Sequence, residues 1–194
     1  MKLPYVPNPP PTTTPEEAAI VQRIQERRAP RPLIPLDLTL LHAPPVADGW
    51  NSFLGAIRTR TSLSDDIREL AISRVAVCNK AWFEWNHHAP LALKGGVSVE
   101  ALDVVKQDEL GGERPGALDE KQWAVLKYTD EMTRNVQVDD ATFAQLKGLF
   151  TDKEVVEITA TVSDAETAFI ECEANIWTGR GIQLRQQILG RSRR

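Results

Sequence analysis

Cysteine is scarce: the 194 residues contain two, Cys78 and Cys172. Two thiols cannot build a disulfide framework, so a reduced, cytoplasmic setting is the simpler expectation. Long apolar runs are also missing, and none approaches the roughly 20 residues that span a bilayer. The opening stretch Met1-Lys2-Leu3-Pro4-Tyr5-Val6-Pro7 has no uninterrupted apolar segment and is not expected to be a secretion signal. Positive charge is not in excess, since 23 Lys and Arg against 27 Asp and Glu leave a net charge of −4. That balance provides no basic field for nucleic acid or an anionic membrane. There is no Gly-x-Gly-x-x-Gly, no phosphate loop and no Gly-x-Ser-x-Gly elbow, so no nucleotide cofactor is expected. No His-x-x-x-His pair and no Cys–His spacing suits zinc, and no metal is expected.

What the chain does have is enough apolar material for one packed domain: 42% of residues are hydrophobic and 26% charged. Proline is unevenly spread, with most of the 13 in the first 45 residues. Pro4 to Pro11 predicts an extended arm, because each ring fixes φ and removes a donor. Whether that arm is disordered or wraps a neighbouring subunit stays open. Thr14-Pro15-Glu16-Glu17 predicts a capped helix running to about Arg28, ended by Pro30, Pro32 and Pro35.

From Asp37 onward apolar residues recur at helical spacing, as in Val46, Trp50, Phe53, Leu54 and Ile57. Further helices are expected from Ser64, Ala81, Ser98, Asp119, Asp139 and Thr151, with Cys78-Asn79-Lys80 a brief break and Gly95-Gly96 a stop. No segment sustains a period of two. The expected class is all-α, with residues 1–36 a proline-rich arm with one helix, 37–178 a helical domain, and 179–194 a basic tail after Gly179 and Gly181.

The densest polar cluster is Arg68-Glu69 together with Trp82-Phe83-Glu84-Trp85-Asn86-His87-His88. Glu84 and His88 are four apart and share a helix face. If the break folds two helices into an antiparallel hairpin, Glu69 approaches that face. Two carboxylates and an imidazole among aromatic rings would make an acid/base site, because burial brings a carboxyl pKa towards operating pH. The plainer account is an exposed ion pair and a carboxylate satisfying a helix dipole. Cys78 near a helix start, with Lys80 close by, is a redox candidate, although a lone cysteine is more often a small buried hydrophobe.

The stretch from Arg68-Glu69-Leu70-Ala71 through Glu84-Trp85-Asn86-His87-His88 to Gly95-Gly96-Val97-Ser98 resembles the carboxymuconolactone decarboxylase/alkylhydroperoxidase D-like family. The resemblance extends more weakly from about Asp37 to Trp177. It implies an alkylhydroperoxidase D-like helical fold and a homo-oligomer. The peroxidase branch carries a Glu, eleven residues, a Cys-x-x-Cys pair, three residues and a His. This chain keeps that frame with Glu69 and His88, but Ala81 and Glu84 stand in the two cysteine positions. Disulfide exchange needs both sulfurs. The decarboxylase branch does not need the pair. Its resemblance implies cofactor-free proton transfer on a small organic acid or lactone.

In that reading His88 donates the proton, Glu84 is the second acid/base group and Glu69 orients His88. Arg68 or Arg74 would bind a substrate carboxylate, with Trp85 and His87 completing the substrate-binding set. A thiol peroxidase using Cys78 and a non-catalytic oligomeric binding protein are the alternatives.

Overall fold

The computed structural model describes residues 4–176, with side chains to residue 167; the basic tail and the Gly179 and Gly181 break lie outside the described residues, as does the Cys172 side chain. Nine α-helices and no strand are present among the described residues. The described residues divide into two units, one of residues 4–55 with 170–176 and one of residues 56–169. The first boundary therefore falls inside a helix at Gly55–Ala56 rather than near residue 36.

The physical reason for that boundary is a second, smaller core. Helix α1 (Pro15–Arg28) starts on Thr14, whose hydroxyl accepts from the Glu17 N–H at 3.2 Å. Its stripe of Ile20, Val21 and Ile24 needs an apolar partner. Leu36 and Leu40 of α2 (Pro35–Leu40), with Leu41 and Ala47, supply it. Charge pairs fasten the same elements. Arg28 donates to the buried Asp37 at 2.9 and 2.8 Å, and Arg23 to Asp48 at 3.0 and 2.7 Å. The proline arm is docked here: the Val6 N–H donates to the Leu38 carbonyl at 3.2 Å, and His42 Nε2 to the Pro4 carbonyl at 2.6 Å. Helix α3 (Pro44–Thr59) crosses the boundary.

The larger unit is built around α4 (Asp65–Cys78), which packs against α5 (Trp82–Lys94), α6 (Val99–Val105) and α7 (Glu120–Asn135). Every residue of α4 from Ile67 to Val77 except Arg68 is buried. A helix covered on all sides has no single apolar face, and its charged residues must find partners inside. Leu70 and Val75 are almost fully enclosed, each burial contributing about 1.5–3 kcal/mol. Helix α8 (Asp140–Leu149) packs on α7, and α9 (Asp152–Ile176) opens on Thr151, whose hydroxyl and N–H pair reciprocally with Glu154.

The α4–α5 connection fixes how these two helices face each other. Lys80 takes the left-handed conformation at φ 58°. The Ala81 N–H reaches the Ala76 carbonyl at 2.7 Å and the Lys80 N–H the Val77 carbonyl at 3.0 Å. This is a Schellman ending with lysine where glycine is usual. Helix α5 ends the same way on Gly96, at φ 107°, with Val97 N–H on the Ala92 carbonyl at 3.0 Å. Gly95 lies so close to the start of α4 that a Cβ there would meet the Asp66 backbone nitrogen at 2.8 Å. The two helices therefore return antiparallel and in close contact.

Candidate functional site

Helix α5 buries Trp85, His88, Ala89 and Ala92, spaced three and four apart. The inward direction of His88 comes from that stripe. Opposite it on α4 stands Glu69, and Glu69 Oε2 accepts from His88 Nδ1 at 2.6 Å. Both are deeply enclosed, with His88 2% and Glu69 6% exposed. On the other side of the ring, Nε2 lies 3.4 Å from Glu84 Oε2 and 3.3 Å from Arg58 Nη2. Arg68 Nε donates to the second Glu69 oxygen at 3.3 Å.

These partners pull the ring in opposite directions. Arg58 is always a donor, so it engages Nε2 when that nitrogen carries a lone pair. Glu84 accepts, so it engages Nε2 when a proton is there. Glu69 holds Nδ1 protonated in either state. Burial works against the charged ring, but the bonds to Glu69 and Glu84 outweigh it and raise the His88 pKa above its ordinary 6.5. For Glu69, burial pushes upward, yet the His88 bond and the charges of His88, Arg68 and Arg58 leave its pKa below 4.5.

A cleft opens beside this chain of groups. Arg58 and Glu84 line it with Ile72, Val75, Ala76, Ala81 and Ala165. Its empty volume, open mouth included, is about 250 Å³. Ala81 and Glu84, the two positions where the peroxidase frame has thiols, both face it.

The structure brings Glu69, Glu84 and His88 together and sends the expected substrate-binding residues elsewhere. Arg74 is fully buried, and its guanidinium donates to Asp130 at 2.9 Å and to the carbonyls of Val105 and Gln107 at 2.6 Å each. With its donors spent inside the core, it is no carboxylate binder. Arg68 is tied to Asp65 at 2.5 Å and to Glu69. Trp85 is part of the core, with Lys106 Nζ 5.2 Å from its ring centroid. His87 points to solvent, where its Nδ1 meets the Phe83 carbonyl at 2.8 Å and its ring lies 4.3 Å from that of Phe83. A helix turns about 100° per residue, which separates His87 from His88.

Cys78 lies on a different face of α4, its Sγ 3.4 Å from Asp130 Oδ1. Burial pushes its thiol up to about 11, which leaves little thiolate near neutral pH. Arg58 carries no signal in the sequence. An arginine at the end of an amphipathic helix reads as a solvated charge, and only packing reveals that it turns inward. Among the described residues no group of three or more His, Cys, Asp or Glu is arranged to hold a metal ion, and no helix is long and apolar enough to cross a membrane.

Residues 44–125 match the sequence pattern of the carboxymuconolactone decarboxylase family. That segment holds α4, α5 and the clustered residues Arg58, Glu69, Glu84 and His88. Comparison with curated proteins returns no match. Among solved structures, a protein of unknown function from Agrobacterium tumefaciens, suggested to be the antioxidant defence protein AhpD, shares the fold. The TM-score is 0.61 at 19% identity, covering 71% of this chain and 92% of that one. Over residues 44–125 the chain is thus similar to the carboxymuconolactone decarboxylase family, and its helical fold is shared with the Agrobacterium protein.

Proposed function

We propose that this protein is a cofactor-free acid/base enzyme acting on a small organic acid or lactone by decarboxylation, isomerisation or dehydration. The observation that carries the reading is the Glu69–His88–Glu84 chain, whose outer end opens on a cleft. Loss of CO2 from a carboxylate leaves its bonding electrons on carbon as a carbanion or enolate, which must take a proton. His88 Nε2–H supplies it, and Glu69 steadies the imidazolium and fixes its tautomer. Glu84, at the mouth, returns a proton to Nε2. The bonds to Glu69 and Glu84 raise the His88 pKa and so favour the protonated ring. A homo-oligomer working on a small-molecule substrate belongs to the same proposal.

The test is solvent-deuterium incorporation at the carbon next to the carbonyl, followed by proton NMR over a panel of small carboxylic acids and lactones. Wild type is expected to exchange or convert at least one of them. His88→Ala should lower that rate by about 10²–10⁴-fold, and Glu84→Gln should lower it with folding unchanged. Full activity in Glu84→Gln would remove Glu84 from the mechanism. No exchange with any panel member would defeat the reading.

A thiol-peroxidase reading draws on the suggested antioxidant role of the Agrobacterium protein. Ala81 and Glu84 in the thiol positions and the high pKa of Cys78 argue against it. Hydroperoxide consumption with a dithiol reductant is expected to be absent in wild type and in Cys78→Ser. Turnover that disappears in Cys78→Ser would restore it.

A further inference from the structure

The cleft has two charged side chains in its wall, Glu84 and Arg58. A carboxylate repels anions, so Arg58 is the group in that wall able to hold one. The other two guanidiniums near the relay are committed: Arg74 to Asp130 and backbone carbonyls, and Arg68 to Asp65 and Glu69. Arg58 meets His88 Nε2 at 3.3 Å, and its Nε is buried with no hydrogen-bond partner among the described residues. A guanidinium offers five N–H donors in a fork matched to a carboxylate. A neutral ring nitrogen uses one of them and leaves the fork incomplete.

We propose that Arg58 is the anchor for a carboxylate of the substrate, and that this carboxylate draws the guanidinium off His88 Nε2. The substrate class is then a small carboxylate whose reacting carbon lies within a bond or two of the anchored group, because Arg58 and the ring nitrogen are in contact. Release frees the Nε2 lone pair to take up a proton from solvent and, so protonated, to donate to Glu84, while Glu69 keeps its hold on Nδ1. No bond to carbon changes in this step: an Arg58 N–H exchanges its acceptor, and Nε2 gains one proton from solvent. The mechanistic use of that released nitrogen rests on the acid/base reading, but the binding event does not.

The experiment is a titration of the full chain with propionate, followed by the ¹⁵N resonances of its side-chain imidazoles. Only three histidines are present, and His87 and His42 do not line the cleft and serve as internal references. Propionate is expected to shift the His88 Nε2 resonance saturably, while neutral propionamide and sodium chloride at equal ionic strength leave it in place. Arg58→Gln should weaken propionate by about tenfold or more, and Arg58→Lys, which keeps the charge and loses the fork, should fall between. Unmoved His42 and His87 resonances in each variant report that the fold is intact.

An absent shift, an equal shift with propionamide or chloride, or an undiminished shift in Arg58→Gln would each overturn the anchor. A normal propionate shift in a protein that exchanges no carbon-bound proton would retain the anchor and remove the enzyme reading. Carbon exchange without an Arg58-dependent shift would do the reverse.

Discussion

Helix α4 places a buried charged residue in each of two clusters, Glu69 in the first and Arg74, five residues on, in the second. The Arg74 cluster is closed. Asp130 accepts from Arg74 and from Arg134, each at 2.9 Å, and the remaining Arg74 donors meet backbone carbonyls at and after the end of α6. Burial pushes Asp130 upward, but its arginine partners keep its pKa below the ordinary value. The Glu69 cluster is open at one end. There a single ring nitrogen faces both an acceptor, Glu84, and a donor, Arg58, at nearly equal distances beside a cleft. Two burials of charge thus have different consequences. One, with its donors matched, is a staple; the other leaves a proton with two places to go.

The largest effect should come from opening the closed cluster. Arg74→Met leaves the partly buried Asp130 with one arginine fewer and two carbonyls unmatched. A loss of about 3–5 kcal/mol is expected in urea unfolding. A change below about 1 kcal/mol, the size of an ordinary surface pair, would show that the cluster is no staple.

Gly95→Ala should separate the two clusters experimentally. Its methyl meets backbone of Asp65 and Asp66 at 3.0 and 2.8 Å, so α5 must move from α4 at a cost of about 1–3 kcal/mol. Glu69 and His88 lie on those two helices, whereas Arg74 and Asp130 lie on α4 and α7. The His88 imidazole resonances should shift while Cys78 reactivity stays constant. The opposite pattern would show that Gly95 does not set the Glu69–His88 contact.

The Glu69–His88 pair also predicts a pH signature. His88 has a folded pKa above 6.5, so its contribution to stability is full below about pH 6.5 and is lost as pH rises through the folded value. Glu69 has a folded pKa below 4.5, so its contribution is full above about pH 4.5 and is lost as pH falls through the folded value. Thermal unfolding midpoints should therefore decline on both sides of a window between those limits. Glu69→Gln should flatten both slopes and lower the His88 pKa. Parallel curves for the two proteins would contradict the coupling.

The smallest effect concerns Cys78, beside the closed cluster. With its thiol at about 11, only about one part in a thousand is thiolate at about pH 8, and alkylation by iodoacetamide should be slow, rising steeply as pH approaches that value. Asp130→Asn removes a nearby negative charge and should lower that pKa. Rapid alkylation of wild type at neutral pH would reopen the thiol chemistry.

Much of this was legible in the residues. Capping residues such as Thr14, Ser98, Asp119 and Thr151 start helices close to where expected. The four-residue spacing of Glu84 and His88, and the break at Cys78 to Lys80, pointed to a hairpin with Glu69 nearby. The small core that joins α1 to α2 and α3 was not legible, because a short apolar stripe does not name its partner. Nor were the places of Arg58 and Arg74. Along a sequence both are arginines at helical positions, and charge alone reads as solvent exposure.

Sequence by itself determined the all-helical class, the approximate helix limits and the two side chains that share a face of α5, since these depend on backbone propensity and on 3.6 residues per turn. Tertiary structure alone decided which arginine closes a core cluster and which one meets His88, and which ring nitrogen faces which partner. Those outcomes depend on distances between helices, and for the Glu69–His88 pair the distance is set by the close antiparallel return of α5 onto α4 at Gly95.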